Sequence, residues 1–220
     1  MKREIIVTSD GSTTIHLPDW DEQYHSKHGA IQEAYHVFIK HGLEFISKAE
    51  ISVLEMGFGT GLNAFITFLE AQKRSLKIDY TGVEAYPVSD IEIEKLNYVT
   101  ELNGEDSSDI FDKLHSISWE EKKSISSNFS LLKKKQFFED FKDEIKFDLI
   151  YFDAFGAKVQ PELWTESIFD KMFKSLKNNG VLVTYSAKGS VRRAMQSVGF
   201  KVERLPGPVG KREMLRAVKE

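Results

Sequence analysis

Apolar residues recur in two rhythms along this chain of 220 residues, and the rhythms alternate. Short continuous apolar runs bounded by turn residues predict buried strands over 51–54, 77–83, 129–132, 147–152 and 181–185. Between them, helical spacing predicts helices over 62–73, from Pro87 to about Tyr98, over 164–177 and over 189–198. A short helix should also follow the 129–132 strand, reaching Lys142. Strands alternating with helices predict a parallel α/β sheet. The pair 200–205 and 213–218, joined around Pro206-Gly-Pro-Val-Gly210, closes it with an antiparallel strand. Upstream, Glu4–Thr8 and Ser12–Leu17 predict a hairpin turning at Asp10-Gly11. A helix over about 29–48 follows, bending near Gly42, with Ala30, Ile31, Ala34, Val37, Phe38 and Phe45 as its apolar stripe. The polar stretch 101–127 reads as a surface insertion with a short helix near 110–115.

The first of the core strands runs into the chemistry. Ile51-Ser-Val-Leu-Glu-Met-Gly-Phe-Gly-Thr-Gly-Leu-Asn63 is strand, glycine turn and helix start in sequence. Glycines admit left-handed backbone angles and close ligand approach, and the free N–H groups of a helix start attract polar or anionic groups. The third glycine stands one position early for a dinucleotide fingerprint, and no Lys-Ser/Thr follows for a nucleoside-triphosphate loop. Glu55 just before the glycines suits a ligand with an ammonium group and no phosphates, namely S-adenosyl-L-methionine. At the tip of the second strand Glu84 lies a little over ~20 residues beyond the glycines, where an acid holds a ribose by its hydroxyls. The blander alternatives are an empty glycine turn and an ordinary solvent-facing acid.

Composition narrows the chemistry. The chain has no cysteine, which excludes disulfides, thiolate metal sites, cysteine-held clusters and thiol nucleophiles together. No apolar run is long enough to span a membrane, and the N-terminus lacks the pattern of a signal peptide. The net charge is −4, yet residues 186–220 hold nine Lys/Arg against three Glu, so this tail is basic and the remainder strongly acidic. That asymmetry points to a polyanionic partner or to a solvated basic helix and hairpin.

A second candidate site follows the fourth strand, in Asp153-Ala-Phe-Gly-Ala-Lys-Val-Gln-Pro-Glu-Leu-Trp164. Ligands in such sheets sit beyond the carboxyl ends of the strands. Asp153 there is placed to receive a proton from an incoming nucleophile. Phe155 and Trp164 are candidates for stacking on a base, with Trp164 equally readable as a core anchor. Lys188, Arg192 and Arg193 are candidates for phosphate contacts. His25 and His28 lack a third ligand, so no metal is expected, and Lys133–Lys135 reads as a solvated loop.

Several stretches together carry a family resemblance. Glu55-Met-Gly-Phe-Gly-Thr-Gly-Leu-Asn63, Tyr24-His-Ser with Gly29-Ala and Glu33-Ala, Asp153-Ala-Phe-Gly with Gln160-Pro-Glu-Leu-Trp164, and Leu205-Pro-Gly-Pro with Gly210-Lys-Arg-Glu-Met214 span almost the whole chain. They resemble the methyltransferase domain family of the tRNA 5-methylaminomethyl-2-thiouridine biosynthesis protein, in its form without a flavin oxidase domain. The resemblance implies a Rossmann-like class I methyltransferase fold with a mostly parallel seven-stranded sheet. It implies one domain over 1–220, with a hairpin-and-helix extension over 1–48 and the core over 49–220. It further implies N-methylation of the aminomethyl group on the wobble uridine of tRNA, in the cytoplasm, with upstream modifying enzymes or a separate flavin oxidase as partners. Glu55, Gly57, Phe58, Gly59, Gly61, Asn63 and Glu84 would bind S-adenosyl-L-methionine, and Asp153 would stand beside the transferring methyl. The sequence departs from the family after the third strand, where Lys133-Lys-Lys-Gln-Phe137 replaces the usual acid near the adenine. Methylation or aminopropylation of a small amine, and a non-catalytic tRNA-binding module, are the alternative readings.

Overall fold

A computed structural model describes residues 2–220. The N-terminal hairpin forms as expected from β1 (Glu4–Val7) and β2 (Thr13–Leu17), and a short β3 (Glu22–Gln23) adds a third antiparallel strand. The second sheet contains β4 (Glu50–Met56), β5 (Lys77–Val83), β6 (Lys122–Ser126), β7 (Phe129–Lys134), β8 (Phe147–Phe152), β9 (Leu176–Thr184), β10 (Lys201–Pro206) and β11 (Glu213–Val218). Its order is β10-β11-β9-β8-β4-β5-β7-β6, with β4, β5, β7, β8 and β9 parallel. The sheet is therefore eight-stranded, not seven-stranded. The missed strand is β6, a polar edge on which only Ile125 is buried, and lysines on an edge discourage further strand pairing.

Helices cover both faces. One core gathers Val37, Phe38, Phe65, Tyr80, Phe129 and Tyr151 under α1 (Ala30–Ala34), α2 (Leu62–Arg74) and later α5 (Ser108–Ser116). The other gathers Phe152, Trp164, Phe169, Met172 and Met195 under α6 (Glu166–Ser175) and α7 (Gly189–Ser197). The first helix continues from α1 as a π-helical turn over Tyr35–Lys40 and stops there. Phe45 thus falls off the expected stripe; it is 46% exposed, with the Arg216 guanidinium 3.8 Å above its ring.

The helix expected from Pro87 to Tyr98 splits into α3 (Asp90–Ile93) and α4 (Tyr98–Glu101). Ser89 and Glu92 form a capping box that starts the first piece. Asn97 interrupts the second, because its side chain is committed to the hairpin: it accepts from the Thr13 N–H at 2.8 Å and donates to the Gly11 carbonyl at 2.9 Å.

Lys133 corrects another expectation. It lies inside β7, 1% exposed, with its ammonium 4.9 Å from the Trp119 ring and bonded to the His115 carbonyl. Burial pushes that ammonium down to about 8.

At the opposite end of the central strands, Asp148 ties three of them together. Its carboxylate accepts from Lys48 at 2.6 Å, Lys177 at 2.8 Å and the Ser52 hydroxyl at 2.6 Å. Burial alone would raise this carboxyl, but the two ammonium groups and the hydroxyl outweigh it and hold it well below the usual range. A depressed carboxylate contributes stability that is present above its unfolded value near ~4 and is lost as pH falls through the folded value. Asp148→Asn is expected to lose about 1–3 kcal/mol at neutral pH. Urea unfolding followed at several pH values should show the gap to wild type closing on acidification.

Candidate active site

β4 is flanked by β5 on one side and by β8 on the other, so the chain reverses its direction of winding there. The crevice beyond the carboxyl ends of these strands is where such sheets bind ligands. The glycine turn fills its floor. Gly57, Gly59 and Gly61 all have left-handed backbones, with φ of 98°, 50° and 73°. The N–H groups of Gly57 and Phe58 both donate to the Val83 carbonyl at 3.0 Å, pinning the turn to the end of β5. A Cβ on Gly57 would lie 2.5 Å from the Asp153 carbonyl oxygen, so the two loops touch main chain to main chain.

The Phe58 ring turns away from the crevice. It is 3% exposed, sits against Gly82 and meets His115 and Trp119 edge-on at 6.1 and 6.3 Å between centroids. Only the main chain of Phe58 is left to face a ligand.

Glu84 stands at the end of β5, half-buried. One oxygen accepts from the Gly59 N–H at 3.0 Å and the other from the Tyr86 N–H at 2.9 Å. Each carboxylate oxygen has a second lone pair, so the group can still take hydroxyl donors. Tyr24 covers the turn from outside, its ring 3.2 Å from where a Gly59 Cβ would be. Phe155 meets the Tyr24 ring at 5.0 Å and the partly exposed Trp20 ring at 5.8 Å, both edge-to-face. Sequence reading gave Trp20 and Tyr24 no role. Tyr24-His25-Ser26 is one of the stretches that carry the family resemblance, but its position over the glycine turn depends on the hairpin.

Behind the turn runs a line of four polar side chains. The Tyr80 hydroxyl donates to Glu55 at 2.9 Å, and the Asn63 amide donates to both Glu55 and Asp153 at 2.9 Å. Glu55 is 1% exposed, and burial holds its carboxyl well above the usual range. It supports Asn63 from below and does not line the open crevice. Asp153 follows β8, its N–H bonded to the Met56 carbonyl at 2.9 Å. Burial first, and then the nearby Glu33 carboxylate, push the Asp153 carboxyl up to about 7. The Asn63 carbonyl oxygen is buried without a protein partner. A buried acceptor of this kind beside two acids, a glycine cradle and a strand-end carboxylate fit a ligand carrying an ammonium group and a ribose.

The remaining sequence candidates divide. Trp164 is a core anchor: 5% exposed, 5.1 Å from the Phe152 ring, its indole N–H given to the Phe155 carbonyl at 2.7 Å. It offers no open face to a base. Lys188, Arg192 and Arg193 cluster at the start of α7, beyond the carboxyl end of β9. Much of the basic tail is neutralised internally, through Lys201–Glu220, Arg204–Glu213, Lys211–Glu33 and Arg216–Glu203. Among the described residues, Lys188, Arg192, Arg193 and Arg212 form no ion pair. His25 is enclosed, bonded to the Thr14 hydroxyl at 2.9 Å, and burial pushes its imidazole down to about 4. No group of three or more His, Cys, Asp or Glu among the described residues is placed to hold a metal ion, and no helix among them is long and apolar enough to cross a membrane.

Comparison with known proteins places this geometry. Residues 115–220 match the family described as S-adenosyl-L-methionine-dependent methyltransferase. The tRNA 5-methylaminomethyl-2-thiouridine biosynthesis bifunctional protein MnmC of Cupriavidus metallidurans is 26% identical over 96% of this chain and 33% of its own length. The protein of the same name from Leptospira interrogans is 28% identical over 89% of this chain and 32% of its own length. The chain thus spans about a third of the length of these curated relatives. Among solved structures, MNMC2 from Aquifex aeolicus superposes over the whole chain and 70% of its own, with a TM-score of 0.81 and 24% identity. The spermidine synthase of Thermotoga maritima shares the fold more loosely, at a TM-score of 0.54 and 15% identity over the whole chain and 72% of its own. The eight-stranded sheet has the Rossmann-like methyltransferase architecture, and its cofactor is S-adenosyl-L-methionine. By its fold, and by the family match over residues 115–220, the chain is similar to the S-adenosyl-L-methionine-dependent methyltransferases.

Proposed function

We propose that this chain methylates the aminomethyl nitrogen on the wobble uridine of tRNA, giving the 5-methylaminomethyl form. The observation that carries the reading is the Asp153 carboxyl, held against the cofactor turn by Asn63 and pushed up to about 7. A base poised near neutral pH suits an alkylamine, which must lose a proton before its lone pair can attack. The curated relatives are named for making 5-methylaminomethyl-2-thiouridine in tRNA, and that substrate is carried here on their similarity.

S-adenosyl-L-methionine supplies a methyl group already activated on a sulfonium. The main chain of Gly57, Phe58, Gly59 and Gly61 cradles it, Glu84 takes the ribose hydroxyls, and Asn63 offers its free oxygen to the ammonium. Glu55 keeps Asn63 oriented. Asp153 would take the proton from the alkylammonium, which frees the nitrogen lone pair for the methyl group. Phe155, with Trp20 beside it, forms the face against the uridine, while Lys188, Arg192, Arg193 and Arg212 hold phosphates. The chain works as one domain over 1–220, in the cytoplasm, downstream of enzymes that install the aminomethyl group, a flavin oxidase among them.

Methyl transfer from labelled S-adenosyl-L-methionine to tRNA purified from cells blocked just before this methylation tests the reading. Label is expected at the wobble uridine. Label appearing only on small amines, or no transfer despite cofactor binding, sinks it.

A further inference from the structure

The acceptor side of the crevice contains a charged pair that methyl transfer, as described above, leaves without a part. Glu33 of α1 is 7% exposed. One of its oxygens accepts from the Ser26 N–H at 3.3 Å, and the other accepts from the ammonium of Lys211, 178 residues away. That ammonium also rests 3.8 Å from the centroid of the Tyr185 ring. The Tyr185 hydroxyl in turn donates to the carbonyl of Ala154, the neighbour of Asp153, at 2.8 Å. The residues between β10 and β11 reach this position because β11 runs antiparallel to β9, bringing 207–212 to the same edge as the glycine turn.

Burying the Glu33 carboxylate is costly, the Lys211 side chain itself being 31% exposed, and an apolar contact would fasten a loop at lower cost. A charged pair here calls for another reason, and the contacts that run from Lys211 through the Tyr185 ring and hydroxyl to the Ala154 carbonyl end one residue from Asp153. We propose that Glu33 and Lys211 are positioning residues that tune Asp153 by opposed charges, Glu33 favouring its protonated form and Lys211 its ionised form. The proposal rests on the reading of Asp153 as the proton acceptor. The other groups around Asp153 are Glu55 from β4, Tyr80 from β5, Asn63 from α2 and Tyr185 after β9, while Glu84 acts on Glu55 and Glu22 of β3 on Tyr185. Glu33 and Lys211, unlike these, are partners of opposite sign that can be removed one at a time.

The sign of each removal is fixed. Without Glu33, Asp153 loses a repelling neighbour and faces an unpaired ammonium, so its titration moves down. Without Lys211 it faces an unpaired carboxylate, so its titration moves up. The experiment is a ¹³C-carboxyl NMR titration of Asp153 in the cofactor-free protein, the resonance being assigned with Asp153→Asn. Glu33→Gln is expected to lower the midpoint by about one pH unit and Lys211→Met to raise it by about one unit. The double variant should return close to wild type. The rising limb of kcat/KM against pH should move in the same order, and Glu33→Asp should restore it.

A pair that only braces the loop predicts unmoved midpoints with uniformly lower activity, and that result overturns the proposal. Shifts of both single variants in one direction overturn it equally. If Glu33→Gln does not fold, the sign of the Lys211→Met shift decides alone. Because the titration needs no tRNA, ordered shifts without tRNA methylation would sink the acceptor reading while leaving the coupling intact.

Discussion

Asp153→Asn is expected to lower methyl transfer by ~10²–10⁴-fold while leaving cofactor affinity within about threefold. The replacement keeps the shape of the side chain. Asn63 can still donate to an amide oxygen at position 153 as it does to the carboxylate, at 2.9 Å in the native protein. What disappears is the ability to take a proton. In the native protein the carboxyl is pushed up to about 7, so the ionised, proton-accepting form grows as pH rises through that value. Transfer should therefore climb through neutral pH and level off above it, and the variant should lack this inflection.

Stability should move the other way. A carboxyl whose folded value lies above its unfolded one weakens the fold as pH rises between the two values. The Asn variant escapes that penalty and should be the more stable protein at pH 8 by urea unfolding. A variant that loses activity and stability together would point to a structural role for Asp153.

Gly57→Ala should produce the second large effect. The native φ of 98° is unfavourable for any residue with a Cβ, and the added carbon would lie 2.5 Å from the Asp153 carbonyl oxygen. Neither partner is a flexible side chain, so relief requires separating the ends of β4 and β8. The expected cost is about 2–4 kcal/mol of stability. Cofactor affinity should fall at least ~10-fold, because the N–H groups of the turn lose their aim. Calorimetric titration with S-adenosyl-L-methionine and chemical unfolding measure the two effects. Gly59→Ala is the contrast: its φ of 50° is also left-handed, but its Cβ would press only on the Tyr24 ring, at 3.2 Å, which can tilt, and meet the Gly57 carbonyl oxygen at an ordinary 3.8 Å. Equal losses from both variants would contradict this account.

The glycine turn, Glu84, Asp153 and the strands that carry them were legible because each signal is local. Apolar runs ending in Gly or an acid state both the strand and its tip within a few residues. Asn63 was legible as a residue of the helix start after the turn, but its bridge between Glu55 and Asp153 exists only once β4 and β8 lie side by side. The Glu33–Lys211 contact joins residues far apart in the sequence, and nothing nearby in the chain announces it. The directions of the Phe58 and Trp164 rings were not legible for a related reason: an aromatic beside a motif looks the same whether its ring faces the crevice or the core. β6 escaped because an edge strand buries too little to leave a period-two pattern, and Lys133 because a buried ammonium looks polar in sequence.

The reversed direction of β11 has a consequence for how the protein can change. The cofactor turn, Glu84 and Tyr24 are set by β4, β5 and the N-terminal hairpin, whereas residues 207–212 arrive on a hairpin of the opposite sheet flank. A hairpin tip can lengthen or shorten without altering strand order or helix packing. The cofactor turn and residues 207–212 therefore sit on separately adjustable parts of one scaffold, so the segment beside the turn can be remodelled while the turn itself stays the same.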